Sequence, residues 1–168
     1  MTMRIEEPNP FGATSREAIA QFEARWGVLL PIEYKQFLLS SNGGWPTPNV
    51  FEVPGWHGQG SVLDAFYGIH DGRKTERLDR ALEVYDERIP PDLIPIADDA
   101  GGNVVCIGWK GKRRGKIYFW DHEDELDENG LFVTDYRNVY LVAKSLQEFL
   151  DSLMTHEEAD KRDQAKGK

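Results

Sequence analysis

Apolar residues recur at helical spacing near both ends of the chain. Segment 14–26 carries them every three or four positions, which predicts a first amphipathic helix. Pro31 suits the first position of a second helix, and the Asn-Gly-Gly run at 42–44 tolerates positive φ and ends that helix. A last helix is predicted after Ser145, with an apolar stripe that reaches Leu153.

Two capping boxes are expected at these helix starts. Thr14 precedes Glu17 by three residues, and Ser145 precedes Glu148 by the same spacing. In such a box each side chain accepts a hydrogen bond from the backbone N–H of the other residue. The two pairs therefore predict where the first and last helices begin.

The middle of the chain shows strand patterns instead. A short apolar run at 50–53 lies close to prolines and suits an edge strand, and 61–70 is a second candidate strand. Three more strands are predicted at 93–97, 103–109 and 116–120. A short Gly-bounded loop joins the last two, as is typical of an antiparallel hairpin.

Weaker signals complete the pattern. Segment 75–88 predicts a helix that ends before a Pro-Pro pair, and 131–134 and 139–142 predict short strands. Residues 1–13 are expected to form an N-terminal arm. Residues 155–168 have no large apolar side chain, so we expect a frayed polar tail there.

Helices at both ends with consecutive strands between them predict an α+β fold. We expect a single domain over residues 14–154, in which a mainly antiparallel central sheet carries the helices from both ends of the chain on one face. A length of 168 residues fits one such domain.

The charge balance is acidic, with 29 acidic and 20 basic side chains and a net charge of −9. This balance disfavours nonspecific binding to nucleic acid or to an anionic membrane, and it favours a basic protein partner. Solubility alone is the competing explanation, since many proteins of the cytosol are acidic.

The single cysteine excludes an internal disulfide and a cysteine-rich zinc site. Cys106 lies in an apolar run at 104–107, so we expect it to be buried as a small hydrophobic residue. Neither a membrane-spanning apolar stretch nor the apolar segment of a signal peptide is found, and a cytoplasmic location is expected.

Residues 26–44 have the order Trp-Gly-x-x-Leu-Pro-x-x-Tyr-x-x-Phe-Leu followed by Asn-Gly-Gly. This order resembles the opening of the SUKH superfamily, which includes the Smi/Knr cell-wall regulators of fungi and many bacterial immunity proteins. Segments 93–107, 115–123 and 145–150 resemble the central strands and the closing helix of the same family. The resemblance covers nearly the whole chain.

The resemblance implies a non-enzymatic immunity protein that neutralises a cognate toxin domain in the cytoplasm by occlusion. Such toxins are often nucleases, whose phosphate-binding faces are basic and would suit an acidic partner. A regulatory scaffold of the Smi/Knr type is the alternative. A small hydrolase that uses Asp98, Asp99, Asp121 and His122 is a third hypothesis.

The densest charged cluster lies at 121–128, where six of eight residues are acidic. Such a cluster creates a negative potential that steers a basic partner, although it is also compatible with a solvated loop. The calcium-loop pattern is not met, and His122 has no second histidine at metal-ligand spacing, so neither a metal nor a cofactor is expected. The candidate partner-binding residues here are Asp121, Glu123, Asp124, Glu125, Asp127 and Glu128.

Three further residues are candidates for the same surface. Asp98 and Asp99 precede a Gly-Gly-Asn turn, where carboxylates ordinarily bond to backbone amides. If the sheet brings this turn close to the 121–128 loop, the two segments share one acidic rim. Trp56 lies in a Gly- and Pro-rich stretch and is either a binding anchor or a lid over the sheet edge.

One short basic run, at 110–116, contrasts with the rest of the chain. It has the charge to hold phosphate, but it is short, the chain has a net charge of −9, and no aromatic stacking platform lies beside it. A solvated hairpin tip that discourages edge aggregation is the favoured explanation, and no direct nucleic-acid partner is expected.

Overall fold

The computed structural model describes residues 3–167, in which eight strands and five α-helices are found. The helices are α1 (Arg16–Trp26), α2 (Ile32–Ser40), α3 (Leu78–Val84), α4 (Leu146–Ser152) and α5 (His156–Lys166). The strands are β1 (Arg4–Glu6), β2 (Trp45–Thr47), β3 (Val50–Glu52), β4 (Gly60–Phe66), β5 (Leu93–Asp99), β6 (Val104–Gly108), β7 (Ile117–Trp120) and β8 (Val139–Ala143).

The central sheet has its strands in chain order, from β3 to β8, and every neighbouring pair is antiparallel. The hairpin of β6 and β7 sets the register of the core, with Val105 opposite Phe119 and Cys106 opposite Tyr118. β1 and β2 form a separate two-stranded ribbon. The predicted α+β fold with a mainly antiparallel sheet is confirmed.

The two faces of the sheet bury different clusters, because successive residues of a strand point to opposite sides. Val105 and Phe119 belong to the larger core, together with residues of α1, α2, α3 and α4. Cys106, Tyr118 and Trp120 belong to a smaller cluster on the other side, against Ile89 and Tyr85. The helices therefore cover one face, and the non-helical segment after α3 covers part of the other.

The helix starts differ from the predicted capping boxes. α1 is capped by Ser15, whose Oγ accepts from Ala18 N at 3.1 Å, so the box predicted from Thr14 is wrong. At α4 the Oγ of Ser145 accepts from Glu148 N at 3.0 Å, as predicted. The Glu148 carboxylate, however, accepts from the backbone N–H of Lys144 and not from that of Ser145.

Three predicted elements are shorter than expected or absent. β4 ends at Phe66 and does not reach residue 70. The helix predicted at 75–88 is a single 3₁₀ turn, Lys74–Glu76, followed by α3. The segment 131–134 forms no strand within the described residues, and only an isolated bridge joins Phe132 to Leu126.

The expectation of a frayed tail is wrong for residues 156–166, which form α5. Thr155 and Glu158 make a complete capping box, with Thr155 Oγ1 accepting from Glu158 N at 3.1 Å and Glu158 Oε2 accepting from Thr155 N at 2.8 Å. Arg162 pairs with Glu52 on β3 at 2.7 Å. The capping box and the ion pair thus stabilise α5, whose buried side chain is that of Ala159.

Candidate functional site

The acidic loop, residues 121–137, begins where β7 ends. Asp121 is fully buried at this point: its Oδ2 accepts from Trp56 Nε1 at 2.7 Å, and its Oδ1 accepts from Glu123 N at 3.0 Å. Asn138 Nδ2 donates to the Asp121 backbone oxygen at 3.0 Å. Asp121 therefore caps a single 3₁₀ turn, His122–Asp124, and does not reach the surface.

Asp99, at the end of β5, is buried in a second polar cluster. Its carboxylate accepts from Ser61 Oγ at 2.6 Å and from the backbone N–H groups of Gly101 at 2.9 Å and Asn103 at 2.7 Å. Asn103 Nδ2 donates a fourth hydrogen bond at 2.9 Å. These contacts are the expected turn chemistry, since a carboxylate accepts readily from nearby amides.

The two acidic segments meet through Asn103 and His122. Because Asn103 Nδ2 donates to Asp99, the amide oxygen faces the loop, where it accepts from His122 N at 3.1 Å. The same oxygen lies 2.6 Å from His122 Nδ1, which must therefore donate to it. The sheet thus brings the turn after β5 beside the acidic loop, but it buries Asp99 and Asp121 beneath that surface.

Asp98 faces a different part of the molecule from Asp99. It is half-buried in a groove of about 370 Å³ that Tyr67, Val84 and Tyr85 also line. The pKa of Asp98 is raised to about 6, mainly by burial; the Ala65 backbone N–H opposes this shift, and the nearby Asp64 carboxylate adds to it. Asp98 and Asp99 therefore lie on opposite sides of one strand.

Trp56 lies against the sheet. Its ring centroid is 4.6 Å from that of Phe119, and its indole N–H is bonded to Asp121. The side chain is half-buried and packs against the larger core. Of the two roles considered for Trp56 from the sequence, this geometry favours a lid over the sheet edge and not a binding anchor.

Glu125 is held by an arginine that lies 37 positions earlier in the chain. Arg88 Nε donates to Glu125 Oε2 at 3.0 Å, and Arg88 Nη2 donates to Oε1 at 3.2 Å. The guanidinium carbon lies 5.0 Å from the ring centroid of Tyr85, 5.6 Å from that of Trp120 and 5.8 Å from that of Phe132. A bidentate pair with aromatic contacts fixes the acidic loop to the smaller core cluster.

Asp127 closes the turn at the far end of the acidic loop. Its Oδ1 accepts from Asn129 N at 2.8 Å and from Leu131 N at 2.9 Å. Glu123, Asp124 and Glu128 are exposed. Of the acidic candidates in the loop, these three present their carboxylates to solvent, and the others are engaged in contacts within the fold.

The pattern of the sequence did not predict that apolar side chains in this loop are exposed. Leu126, Leu131 and Phe132 are exposed large hydrophobic residues. The pattern at 131–134 predicted a strand, which would have buried alternate side chains. The one available signal was the acidic composition around them, because apolar residues within a charged run are poorly placed to reach a core.

The four residues proposed for a hydrolase do not form one site, because Asp98 lies away from the segments that carry Asp99, Asp121 and His122. Asp98 faces the groove with Tyr85, whereas Asp99 and Asp121 are engaged by donors within the fold. In residues 3–167 no group of three or more His, Cys, Asp or Glu side chains is placed to hold a metal ion. The same residues include no helix that is long and apolar enough to cross a membrane.

Fold and loop together define a single-domain α+β protein with an acidic loop fixed at one end of its sheet. The model of the SMI1 / KNR4 family (SUKH-1) matches residues 13–152, and the chain belongs to this family. It is also 32% identical over 166 residues to the SPbeta prophage-derived uncharacterized protein YokK of Bacillus subtilis (strain 168). That alignment covers 89% of this chain and 80% of the relative.

Proposed function

We propose that this protein is a cytoplasmic immunity protein that binds a cognate bacterial toxin domain and neutralises it by occlusion. Family membership supports an immunity-like or Smi/Knr-type role. One observation supports the more specific proposal. The loop exposes the carboxylates of Glu123, Asp124 and Glu128, and hydrogen bonds of Asp121 and Arg88 hold it against the fold.

The physical basis is preorganisation of charge. Asp121, Arg88 and Asp127 hold the acidic loop in one conformation, so little entropy is lost when a partner binds. Negative potential on such a surface speeds encounter with a basic protein and opposes encounter with nucleic acid. A nuclease domain with a basic phosphate-binding face is the toxin class that fits best.

The test is co-expression with the C-terminal domain of the large secreted protein encoded nearest this gene. We expect rescue of growth and a one-to-one complex. The acidic loop is then mapped with the triple charge reversal Glu123→Lys, Asp124→Lys and Glu128→Lys. We expect this variant to bind the toxin domain at least about tenfold more weakly at low salt. Its remaining affinity should also depend less on salt concentration than that of the unsubstituted chain.

A matched control reverses three exposed carboxylates on other elements, Glu17, Asp71 and Asp160, and so makes the same change in net charge. Binding by this control should stay within a few-fold of the unsubstituted chain. Equal losses in both variants would mean that only net charge matters. That result would contradict the assignment of this surface.

The Smi/Knr-type scaffold is the second candidate, because membership of the SMI1 / KNR4 family favours it equally. A scaffold would bind a resident protein of the same cell and would not rescue growth from a toxin. The co-expression experiment therefore separates the two roles.

A further inference from the structure

The acidic loop exposes a cluster of apolar side chains. Leu126 is 50% exposed, Leu131 64% and Phe132 48%. They are three of the seven exposed large hydrophobic residues in the described part of the chain. We call these three residues the loop tip. Single exposed leucines are ordinary on protein surfaces, whereas three within seven positions of one loop mark an interaction site.

The loop tip is held in place by its own backbone. Asp127 N donates to Leu131 O at 2.8 Å, and Val133 N donates to Glu125 O at 2.8 Å, so the two arms of the loop pair across the isolated bridge between Leu126 and Phe132. Val133 is buried and anchors one arm. The apolar side chains therefore stay exposed because the backbone that carries them is fixed.

The base of the loop tip continues into the smaller core cluster. The Arg88 guanidinium lies over the ring of Phe132 and also over the rings of Tyr85 and Trp120, so it joins Phe132 to this cluster. Its charge is matched by Glu125. A partner that packs on Phe132 thus meets a rigid platform, as is typical of residues that dominate binding energies.

Charge selects the kind of partner. Exposed carboxylates of Glu123, Asp124 and Glu128 flank the loop tip in sequence, and the nearby Arg137 is already paired with Asp135 at 2.6 Å. A second copy of this chain would bring like charges together around the apolar centre, which is unfavourable. A protein with an apolar pocket and a basic rim complements both features.

We infer that the loop tip is the apolar anchor of the toxin interface and inserts into a pocket that the toxin domain surrounds with Lys and Arg side chains. This inference rests on the proposed function and deepens it, since it replaces Trp56 with Leu126, Leu131 and Phe132 at the centre. The acidic residues then form the rim, where charge pairs steer association more than they strengthen it.

The experiment compares two pairs of substitutions in the complex with the toxin domain defined above. Leu126→Ser with Leu131→Ser removes two side chains of the loop tip. Leu29→Ser with Ile32→Ser is the matched control, because these side chains are 59% and 68% exposed on the connection before α2 and the start of α2. Both pairs are exposed, so thermal unfolding should confirm that each variant folds.

We expect the loop-tip pair to raise Kd by about 100-fold and the control pair to change it by less than about threefold. Phe132→Ser, as a second variant, should also weaken binding. The loss in the loop-tip pair should persist at high salt, where the effect of charge reversal disappears, because apolar contacts are not screened.

Three results overturn the inference. Unchanged binding by the loop-tip variants would reject the anchor and leave the proposed function standing. An equal loss in the control pair would show that the loop tip has no specific role as the anchor. If the unsubstituted chain neither binds the toxin domain nor rescues growth, the proposed function is wrong and the inference falls with it.

Discussion

At the scale of single residues, two adjacent aspartates on β5 experience different environments. Asp99 accepts four hydrogen bonds, three from Gly101 and Asn103 in the turn after β5 and one from Ser61 on β4. Asp98 accepts one weak hydrogen bond, from Ala65 N at 3.3 Å, and faces the side of the sheet that carries Tyr85. One carboxylate therefore stabilises the fold. The other is partly desolvated, and no ion pair with it is found among the described residues, although Lys74, Arg77 and Arg80 line the same groove.

Replacing Asp98 with Asn should stabilise the protein at neutral pH. Burial raises the Asp98 pKa from 3.8 to about 6, so stability falls as pH rises through this window, where the unfolded chain has released a proton that the folded chain still holds. The neutral amide avoids this cost. We expect a gain of about 1 kcal/mol at pH of about 7.5, after discounting for solvent screening, and almost none near pH 4.

Urea unfolding at the two pH values measures this difference. Asp160→Asn, at an exposed position on α5, serves as the control and should show no comparable gain. A gain of the same size at both pH values would show that the buried charge is not the cause.

Replacing Asp99 with Ala should lower the free energy of unfolding by about 3 kcal/mol. Four donors lose their acceptor, and three of them, in Gly101 and Asn103, belong to a buried or half-buried turn. Denaturant titration gives the value. Toxin binding should be unchanged at temperatures where the variant is folded. If the variant lost toxin binding but kept its stability, Asp99 would have to be assigned to the partner-binding surface.

At the scale of elements, the strands were far more predictable than the features between them. Apolar runs at 93–97, 103–109 and 116–120 lie within two residues of β5, β6 and β7, because a sheet buried on both faces requires apolar residues at successive positions. The burial of Asp121 and the pairing of Glu125 were not predictable. Both depend on partners, Trp56 and Arg88, that are distant in sequence and adjacent only after folding.

The last helix illustrates a different limit. α5 has one buried residue, Ala159, so hydrophobic spacing gave no signal for it. Its stability comes from the capping box at Thr155 and from Arg162 and Lys166, which both pair with Glu52. The Thr155–Glu158 spacing was the signal that sequence reasoning passed over.

Ending the chain after Thr155 should cost about 1–2 kcal/mol and leave the rest folded. Little apolar surface is lost with α5, and partly exposed ion pairs contribute little each. Thermal unfolding of the shortened chain measures the cost and tests the predicted domain boundary at 154. Loss of cooperative unfolding would show that the domain extends through α5.

At the scale of the whole molecule, net charge and local charge act together. The chain carries a net charge of −9, and three of its exposed carboxylates, those of Glu123, Asp124 and Glu128, flank the loop tip in sequence. Long-range attraction brings a basic partner close, and the local arrangement selects the orientation in which it docks.

The association rate constant with the toxin domain should therefore fall at least about tenfold as salt rises from about 0.05 to 0.5 M, and the dissociation rate should change much less. Stopped-flow mixing measures both rates. If the dissociation rate constant changed with salt more than the association rate constant, charge pairs would be buried at the centre of the interface in place of the apolar anchor.

The stack of Arg88 over Trp120 also gives the protein an intrinsic optical reporter. Trp120 is fully buried, its indole has Tyr85 at its edge, and a fixed positive charge lies 5.6 Å from its ring centroid. The emission wavelength of an indole responds to the electric field across its ring, and Arg88 is the group that links this field to Phe132 at the surface. Occupation of the loop tip should therefore shift the emission of Trp120. A chain in which Trp26, Trp45 and Trp109 are replaced by phenylalanine, with Trp56 kept for its bond to Asp121, would report docking without an added label.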